Sequence, residues 1–272
     1  MLVSIKNWYR PESITEALSL MKKGMVIPYA GGTSFHRGGK ITATGMIDLR
    51  KLDLDFIHET ESGTTIGACA RFKDIANYNL TDGRKILKEA CSLAASTSLR
   101  NLITIGGSLA SKPIWSNIPA ALLALNAEIE IAGGNAGKFG IGKFLDEKPL
   151  DGTSLITKVF IPKSPGVGIY YRYSETKFDY SLIDTAVYLE LKNVEIETIR
   201  IAVGNLLPKA RRLYNLEESL KGLPINSERI ADLVDKLEIN PISSSIASKE
   251  FRSNLVKVFI KRAFKQVGQK NA

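Results

Sequence analysis

Cysteine and histidine are scarce: two of each in 272 residues, Cys69 and Cys91, His36 and His58. A four-cysteine zinc site or an iron–sulfur cluster needs more thiolates than that, so this chain alone can build neither, and no metal ligand set is assigned to it. The N-terminus, MLVSIKNWYRPES, lacks the apolar stretch of a secretory leader. Its two thiols are therefore read as reduced and its location as cytoplasmic. An apolar run of about 18 residues is also missing, which excludes a membrane-spanning helix. There are no internal repeats or low-complexity tracts. Hydrophobic residues make up 44% and charged residues 24%, the balance of a folded globular chain rather than a disordered or fibrous one.

What is present first is positive charge. Lys and Arg number 37 against 28 Asp and Glu, a net +9. An anionic partner fits this excess, whether nucleic acid, a phosphate-bearing cofactor or an acidic protein surface. The length suggests roughly two domains.

Ser13-Ile14-Thr15-Glu16 is a capping box, and Ile14, Ala17, Leu18 and Met21 follow at helical spacing until Gly24. Short apolar runs predict strands at 25–29, 46–49, 65–68, 102–105, 128–131 and 155–161. Helical spacing of Leu87, Ala90, Cys91 and Ala94 predicts a helix over 82–96 and makes Cys91 a core residue. Pro119 opens another helix, through Leu125. Residues 163–168, Lys-Ser-Pro-Gly-Val-Gly, read as a linker. Beyond it come three strands (169–173, 183–191, 196–203) and three helices (near 213–221, 227–237 and 248–265). The fold class is α+β, with an N-terminal domain over 1–165, in subdomains of about 1–54 and 55–165, and a C-terminal one over 166–272.

Two glycine turns carry the most chemistry, one at 30–35 and one at 104–108. Each sets Gly-Gly after an apolar run and before a hydroxyl residue. Glycine lets a backbone approach a ligand closely and adopt positive φ, and successive N–H groups in such a turn form an anion nest. One N–H bond to a charged oxygen contributes about 1.5–3 kcal/mol. Two facing nests would suit a pyrophosphate, although each alone also fits a plain tight turn. Neither is a Walker A loop or a GxGxxG fingerprint.

Their surroundings sharpen this. Tyr29-Ala30-Gly31-Gly32-Thr33-Ser34-Phe35, the pair Ile47-Asp48-Leu49 and Ile66-Gly67-Ala68, and Leu99-Arg100-Asn101-Leu102-Ile103-Thr104-Ile105-Gly106-Gly107-Ser108 together resemble the FAD-binding medium subunit of molybdenum hydroxylases. That family includes the carbon monoxide dehydrogenase flavoprotein and the flavin domain of xanthine dehydrogenase. The resemblance implies a bipartite FAD domain of the vanillyl-alcohol oxidase (PCMH) type, and residues 169–203 resemble the start of the family's C-terminal domain, which the strand and helix pattern reads as a three-stranded antiparallel sheet with three helices. It implies that Pro28, Tyr29, Ala30, Gly31, Gly32, Thr33, Ser34 and Phe35 form one FAD loop and Thr104, Ile105, Gly106, Gly107 and Ser108 the other. Asn117 falls where the family has an Asp near the ribose, Ile156 at an adenine-side apolar contact, and Arg172 at a Lys that approaches the cofactor. Ala94 falls where some relatives stack an aromatic ring on the flavin, and Tyr170, Tyr171 or Tyr173 could cover that face instead. Thr176 replaces an Arg ahead of Phe178-Asp179.

The implied function is electron transfer through FAD inside a heteromeric complex. Molybdopterin would sit on a large partner subunit and [2Fe-2S] clusters on a small one, with electrons leaving to an external acceptor. No catalytic side chain is required of this chain. Two rivals remain: a stand-alone FAD-dependent oxidase or reductase, and a basic nucleic-acid-binding module, for which no motif speaks. His36 is either an exposed loop histidine or a flavin contact, and the basic face of the last helix either packs on its own domain or meets another subunit.

Overall fold

The structure is a computed structural model and describes residues 5–35, 42–113, 115–206, 209–242 and 246–269, with the backbone of residue 270. In chain order the elements are β1 (Asn7–Tyr9), α1 (Ile14–Lys22), β2 (Val26–Tyr29), β3 (Gly45–Asp48), β4 (Ile57–Thr60), β5 (Gly63–Gly67), α2 (Phe72–Asn77), α3 (Lys85–Ser92), α4 (Thr97–Arg100), α5 (Ile105–Ser111) and α6 (Ile118–Ala124). Then follow β6 (Glu128–Gly133), β7 (Gly137–Gly140), α7 (Ile141–Glu147), β8 (Ser154–Pro162), β9 (Val167–Tyr173), β10 (Ile183–Lys192), β11 (Glu195–Gly204), β12 (Arg211–Arg212), α8 (Tyr214–Leu220), α9 (Arg229–Asp235) and α10 (Lys249–Lys270).

These elements form two compact units that interleave along the chain. One takes the described residues of 1–77, 96–112 and 127–162; the other takes those of 78–95, 113–126 and 163–272.

In the first unit α1 starts as its sequence requires. Ser13 Oγ accepts the Glu16 N–H at 3.1 Å, and the Glu16 carboxylate accepts the Glu12 N–H at 2.8 Å. Gly24 ends it at φ +77°. Ala17 and Met21 then pack with Ile47, Leu49 and Leu155. Strands β1, β3 and β2 pair in parallel, in that order, and a five-stranded antiparallel sheet runs β4-β5-β8-β6-β7.

The second unit holds an antiparallel sheet of order β12-β11-β10-β9. Three strands were expected; the fourth, β12, is a two-residue edge pairing Arg211 and Arg212 with Val203 and Ala202. Val256, Ile260, Ala263, Phe264 and Val267 of α10 share one core with Val187 and Leu189 of β10. The last helix therefore buries its apolar face in its own unit. Its Lys261 reaches Asp235 at 2.6 Å.

Three expectations need correcting. Residues 102–105 are not a strand: Thr104 makes only an isolated bridge to Arg71, and α5 begins at Ile105. The helix expected over 82–96 is a short 3-10 turn at 82–84 followed by α3, which stops at Ser92. Finally, α6 starts one residue ahead of Pro119.

Candidate functional site

The first glycine turn leaves the end of β2. Parallel pairing sets Tyr29 opposite Asp48. The Tyr29 ring is enclosed by its neighbours: Trp8 edge-on at 4.8 Å, Phe35 stacked at 6.1 Å, and the Arg50 guanidinium 5.4 Å from its centroid. Asp48 is 3% exposed and anchors this group. It accepts Arg50 Nε at 2.8 Å, Arg50 Nη2 at 2.6 Å and Trp8 Nε1 at 3.3 Å. The Arg50 hydrogen bond, ahead of the opposing cost of burial, holds the Asp48 carboxyl below the ordinary carboxylate range. Gly32 sits at φ +71°, and a Cβ there would lie 2.7 Å from the Tyr29 ring. Pro28, Tyr29, Ala30, Gly31, Gly32, Thr33 and Phe35 are half-buried, and Ser34 is exposed. Phe35 N–H closes the turn onto the Gly32 carbonyl at 3.3 Å. His36 lies outside the described residues.

The second turn is a helix start. Thr104 is the N-cap of α5, and its Oγ1 accepts the Gly107 N–H at 3.1 Å. The neighbouring donors are also engaged: Ile105 N–H with Ala70 O at 3.0 Å, Gly106 N–H with Ala68 O at 2.9 Å, and Ser108 N–H with Thr104 O at 2.9 Å. Gly106 is small for packing, since a Cβ there would lie 2.6 Å from the Ala68 Cβ and 2.8 Å from its carbonyl oxygen. Gly107 is exposed, and a Cβ on it would meet only Thr104 Oγ1, at 2.7 Å.

The first turn lies against the segment just ahead of the second. A Cβ on Gly31 would overlap the main-chain carbonyl of Leu102, so only glycine allows the first turn to lie against the segment that leads into α5. Leu99 and Leu102 beside this join are 41% and 51% exposed. Ile156 is buried in β8, against which α5 packs; the neighbouring Thr157 carbonyl accepts the Ala68 N–H at 2.9 Å. One unit thus brings together both glycine turns and Ile156. An exposed hydroxyl, an exposed glycine at a helix start and a Cβ-free join lie together here, a surface on which a ligand can approach the backbone closely.

Asn117 and Arg172 belong to the other unit. Asn117 is 4% exposed and donates from Nδ2 to Ala90 O at 3.3 Å. Arg172, on β9, donates to the carbonyls of Lys177, at 3.3 Å, and of Asp179. Burial, its largest influence, lowers its affinity for a proton. The three nearby tyrosines are engaged within the same unit. Tyr170 is buried and donates to Asp184 Oδ2 at 3.1 Å; Tyr171 donates to Gln266 at 3.1 Å and stacks on Phe259; Tyr173 meets Phe251 edge-on.

The thiols are not chemical groups of the site. Both cysteines are buried and free of a disulfide, and burial pushes Cys69 up to about 12 and Cys91 higher. Among the described residues no group of His, Cys, Asp and Glu could hold a metal, and no helix is long and apolar enough to cross a membrane.

Sequence reasoning did not identify Trp8, Arg50 and Leu102 as supports of the site. Arg50 follows Asp48 by two residues, a spacing that could have suggested the pair, whereas nothing local signals Trp8 or the Leu102 carbonyl.

Comparison with known proteins gives a consistent picture. Residues 3–164 match the family model described as "FAD binding domain in molybdopterin dehydrogenase". Residues 169–267 match "CO dehydrogenase flavoprotein C-terminal domain". The glyceraldehyde dehydrogenase medium chain of Sulfolobus acidocaldarius is 28% identical over 96% of this chain and 98% of its own length. The carbon monoxide dehydrogenase medium chain of Hydrogenophaga pseudoflava is 26% identical over 84% of each. Among solved structures, quinoline 2-oxidoreductase from Pseudomonas putida 86 shares the fold with a TM-score of 0.86 at 22% identity, over 97% of both chains.

Proposed function

This chain belongs to the family of FAD-binding domains of molybdopterin dehydrogenases, and from that premise we propose that it is the electron-transfer subunit of a heteromeric molybdenum hydroxylase. Its cofactor is FAD, and molybdenum hydroxylases of this kind carry their other cofactors on other subunits. In this reading a small [2Fe-2S] subunit delivers electrons and a large molybdopterin subunit performs the hydroxylation. The domain that holds the flavin is of the vanillyl-alcohol oxidase type. Bound FAD supplies storage for electrons arriving singly and leaving to an external acceptor.

The observation that carries the proposal is the Gly31–Leu102 join, which sets the first turn beside the Thr104-capped start of α5. The backbone of 30–35 and the hydroxyls of Ser34, Thr104 and Ser108 would hold the pyrophosphate. The positive end of α5 favours the same anion, although the N–H groups of 105–108 already have protein acceptors. The exposed Leu99 and Leu102 offer apolar surface beside it, and Ile156 an apolar wall. Asn117 and Arg172, which belong to the second unit, are assigned to the cofactor by the resemblance alone. Two buried thiols agree with a reducing, cytoplasmic location and with clusters held by partners. The sequence's +9 is accounted for by an anionic cofactor and acidic partner surfaces.

The test is to purify the chain, add FAD, remove the excess and measure flavin per polypeptide. A stoichiometric flavin band is expected. A chain that stays colourless refutes the proposal. Co-purification of two partners, with no turnover by the lone chain, separates this reading from a stand-alone oxidase. Salt-sensitive binding to nucleic acid without FAD would favour the remaining rival.

A further inference from the structure

The second unit contains a buried polar cluster that the proposed function does not use. At its centre is Asp184 on β10, with no exposed surface. Both carboxyl oxygens are occupied: Tyr170 donates to Oδ2 at 3.1 Å and Asn205 Nδ2 to Oδ1 at 2.5 Å. The carboxyl also fills the space in front of Gly204, where any Cβ would overlap it. Asp184 is therefore fixed in place from three sides.

Directly across the antiparallel pair from Asp184 stands Arg172. Its guanidinium grips the turn between β9 and β10 by the carbonyls of Lys177 and Asp179, while its Nε is buried without a partner. A buried unpaired donor carries an energetic penalty that a nearby anion would relieve. Asp179, at the tip of the turn, also bonds Thr176 at 3.2 Å, and Ser174 bonds the Thr176 carbonyl at 2.7 Å. The turn ends on Tyr180, whose ring packs on Trp115 at 4.9 Å.

We propose that Asp184 is a positioning residue for Arg172 and makes it a proton-controlled latch. With Asp184 neutral, its O–H donates to the Tyr170 hydroxyl in place of the reverse bond, and the guanidinium holds the turn through two carbonyls. With Asp184 ionised, the carboxylate draws the guanidinium back along the sheet, its Nε gains an acceptor and the turn is released. The carboxyl cannot move to meet Arg172, so the long arginine side chain is the part that changes pose.

Several groups face this carboxyl. From β9 come Tyr170 and Arg172. From the end of β11 comes Asn205, whose carbonyl is gripped by Arg252 of α10 at 2.5 Å. From α3 comes the neutral thiol of Cys91, which acts on Tyr170. Burial outweighs the stabilising bonds of Tyr170 and Asn205 and the charge of Arg172, and pushes Asp184 up to about 8. Both latch states are therefore within reach of ordinary pH. Arg172 is also one of the residues that the resemblance assigns to FAD, and the latch does not rest on that assignment.

The experiment is hydrogen–deuterium exchange of the 174–181 segment in the full, FAD-free chain at pH 6.5 and 9. Each measurement is referred to Asp184→Asn at the same pH to cancel intrinsic exchange. At pH 6.5 the two should be equally protected. At pH 9 about ten carboxylates are ionised for each neutral one, so the native turn should lose protection by up to about tenfold relative to Asp184→Asn. The segments of β6 and β8 should not change. Arg172→Met should leave the turn unprotected at both pH values, and it remains readable if Asp184→Asn folds poorly. Equal native protection at both pH values, or an Arg172→Met turn as protected as the native one, overturns the latch. Because no flavin is present, these outcomes are independent of whether the chain proves to bind FAD.

Discussion

Gly31→Ala is the sharpest perturbation of the join between the glycine turns. The added methyl would overlap the Leu102 carbonyl. That carbonyl has little room to yield. The next residue, Ile103, donates its N–H to Leu99 O at 2.9 Å and accepts the Phe72 N–H at 2.9 Å. Overpacking typically costs about 1–3 kcal/mol. With backbone on both sides of the clash, the upper end applies, about 2–3 kcal/mol. For a chain of this size that lowers the melting midpoint by roughly 4–12 °C. If the first turn holds the pyrophosphate as proposed, displacing it also removes at least one N–H bond to that anion, worth about 1.5–3 kcal/mol. FAD affinity should then fall by roughly 10- to 100-fold. Calorimetry with and without FAD, together with a flavin titration, reads both effects. Gly107→Ala supplies the contrast. Its methyl meets only the Thr104 hydroxyl, which can rotate at the expense of the helix cap, for a loss of about 1 kcal/mol. The reasoning fails if Gly31→Ala melts like the native chain, if Gly107→Ala melts lower than Gly31→Ala, or if Gly31→Ala is destabilised yet binds FAD unchanged.

Asp48→Asn should weaken the support of the first turn by about 1–2 kcal/mol, a discounted figure because Arg50 is largely solvated. Since the folded Asp48 carboxyl is held below its unfolded value, its contribution is present above about pH 4 and disappears as the pH falls through the folded value; urea melts at pH 7 and 3 check this. Asp184 acts in the opposite sense. Its folded carboxyl lies at about 8, above the unfolded 3.8, so the native state keeps a proton that the unfolded state releases. Stability should fall as pH rises between those values, by at most about 1.4 kcal/mol per pH unit, and Asp184→Asn should flatten that slope in denaturant titrations. Cys69 and Cys91 should resist a thiol reagent in the folded chain and react in denaturant; rapid labelling of the native protein would contradict their burial.

Much of the local architecture could be read from short signals. The Ser13–Glu16 box, with Gly24 behind it, locates α1 because caps act through neighbouring backbone groups. The three strands beyond the linker follow from their β-rich runs, and Asn193, at φ +58°, supplies the tight turn between β10 and β11. Residues 102–105 misled for a physical reason. Leu-Ile-Thr-Ile has strong β-propensity, but that propensity depends on a strand partner. Here Thr104 spends its hydroxyl capping α5 instead. The short β4 and β7 had no comparable signal, since each is a four-residue sheet edge held by one hairpin partner, β5 or β6, and α2 is tied through its Phe72 N–H to the distant Ile103 carbonyl.

The sequence by itself determined the presence of two glycine turns, the family they resemble, the lack of cluster-forming cysteines and the strand-then-helix order of the C-terminal part. These depend on residue identity and on spacings of a few residues. Tertiary structure alone decided that Gly31 must be glycine because Leu102 lies against it, and that Gly106 is small because of Ala68. It also spent the N–H groups of Ile105 and Gly106 on the Ala70 and Ala68 carbonyls and placed Arg172 across from a buried Asp184. The glycine contacts and the Ile105 and Gly106 bonds are approaches between segments far apart in the chain, and the Arg172–Asp184 pairing is set by strand register, neither of which a local pattern encodes.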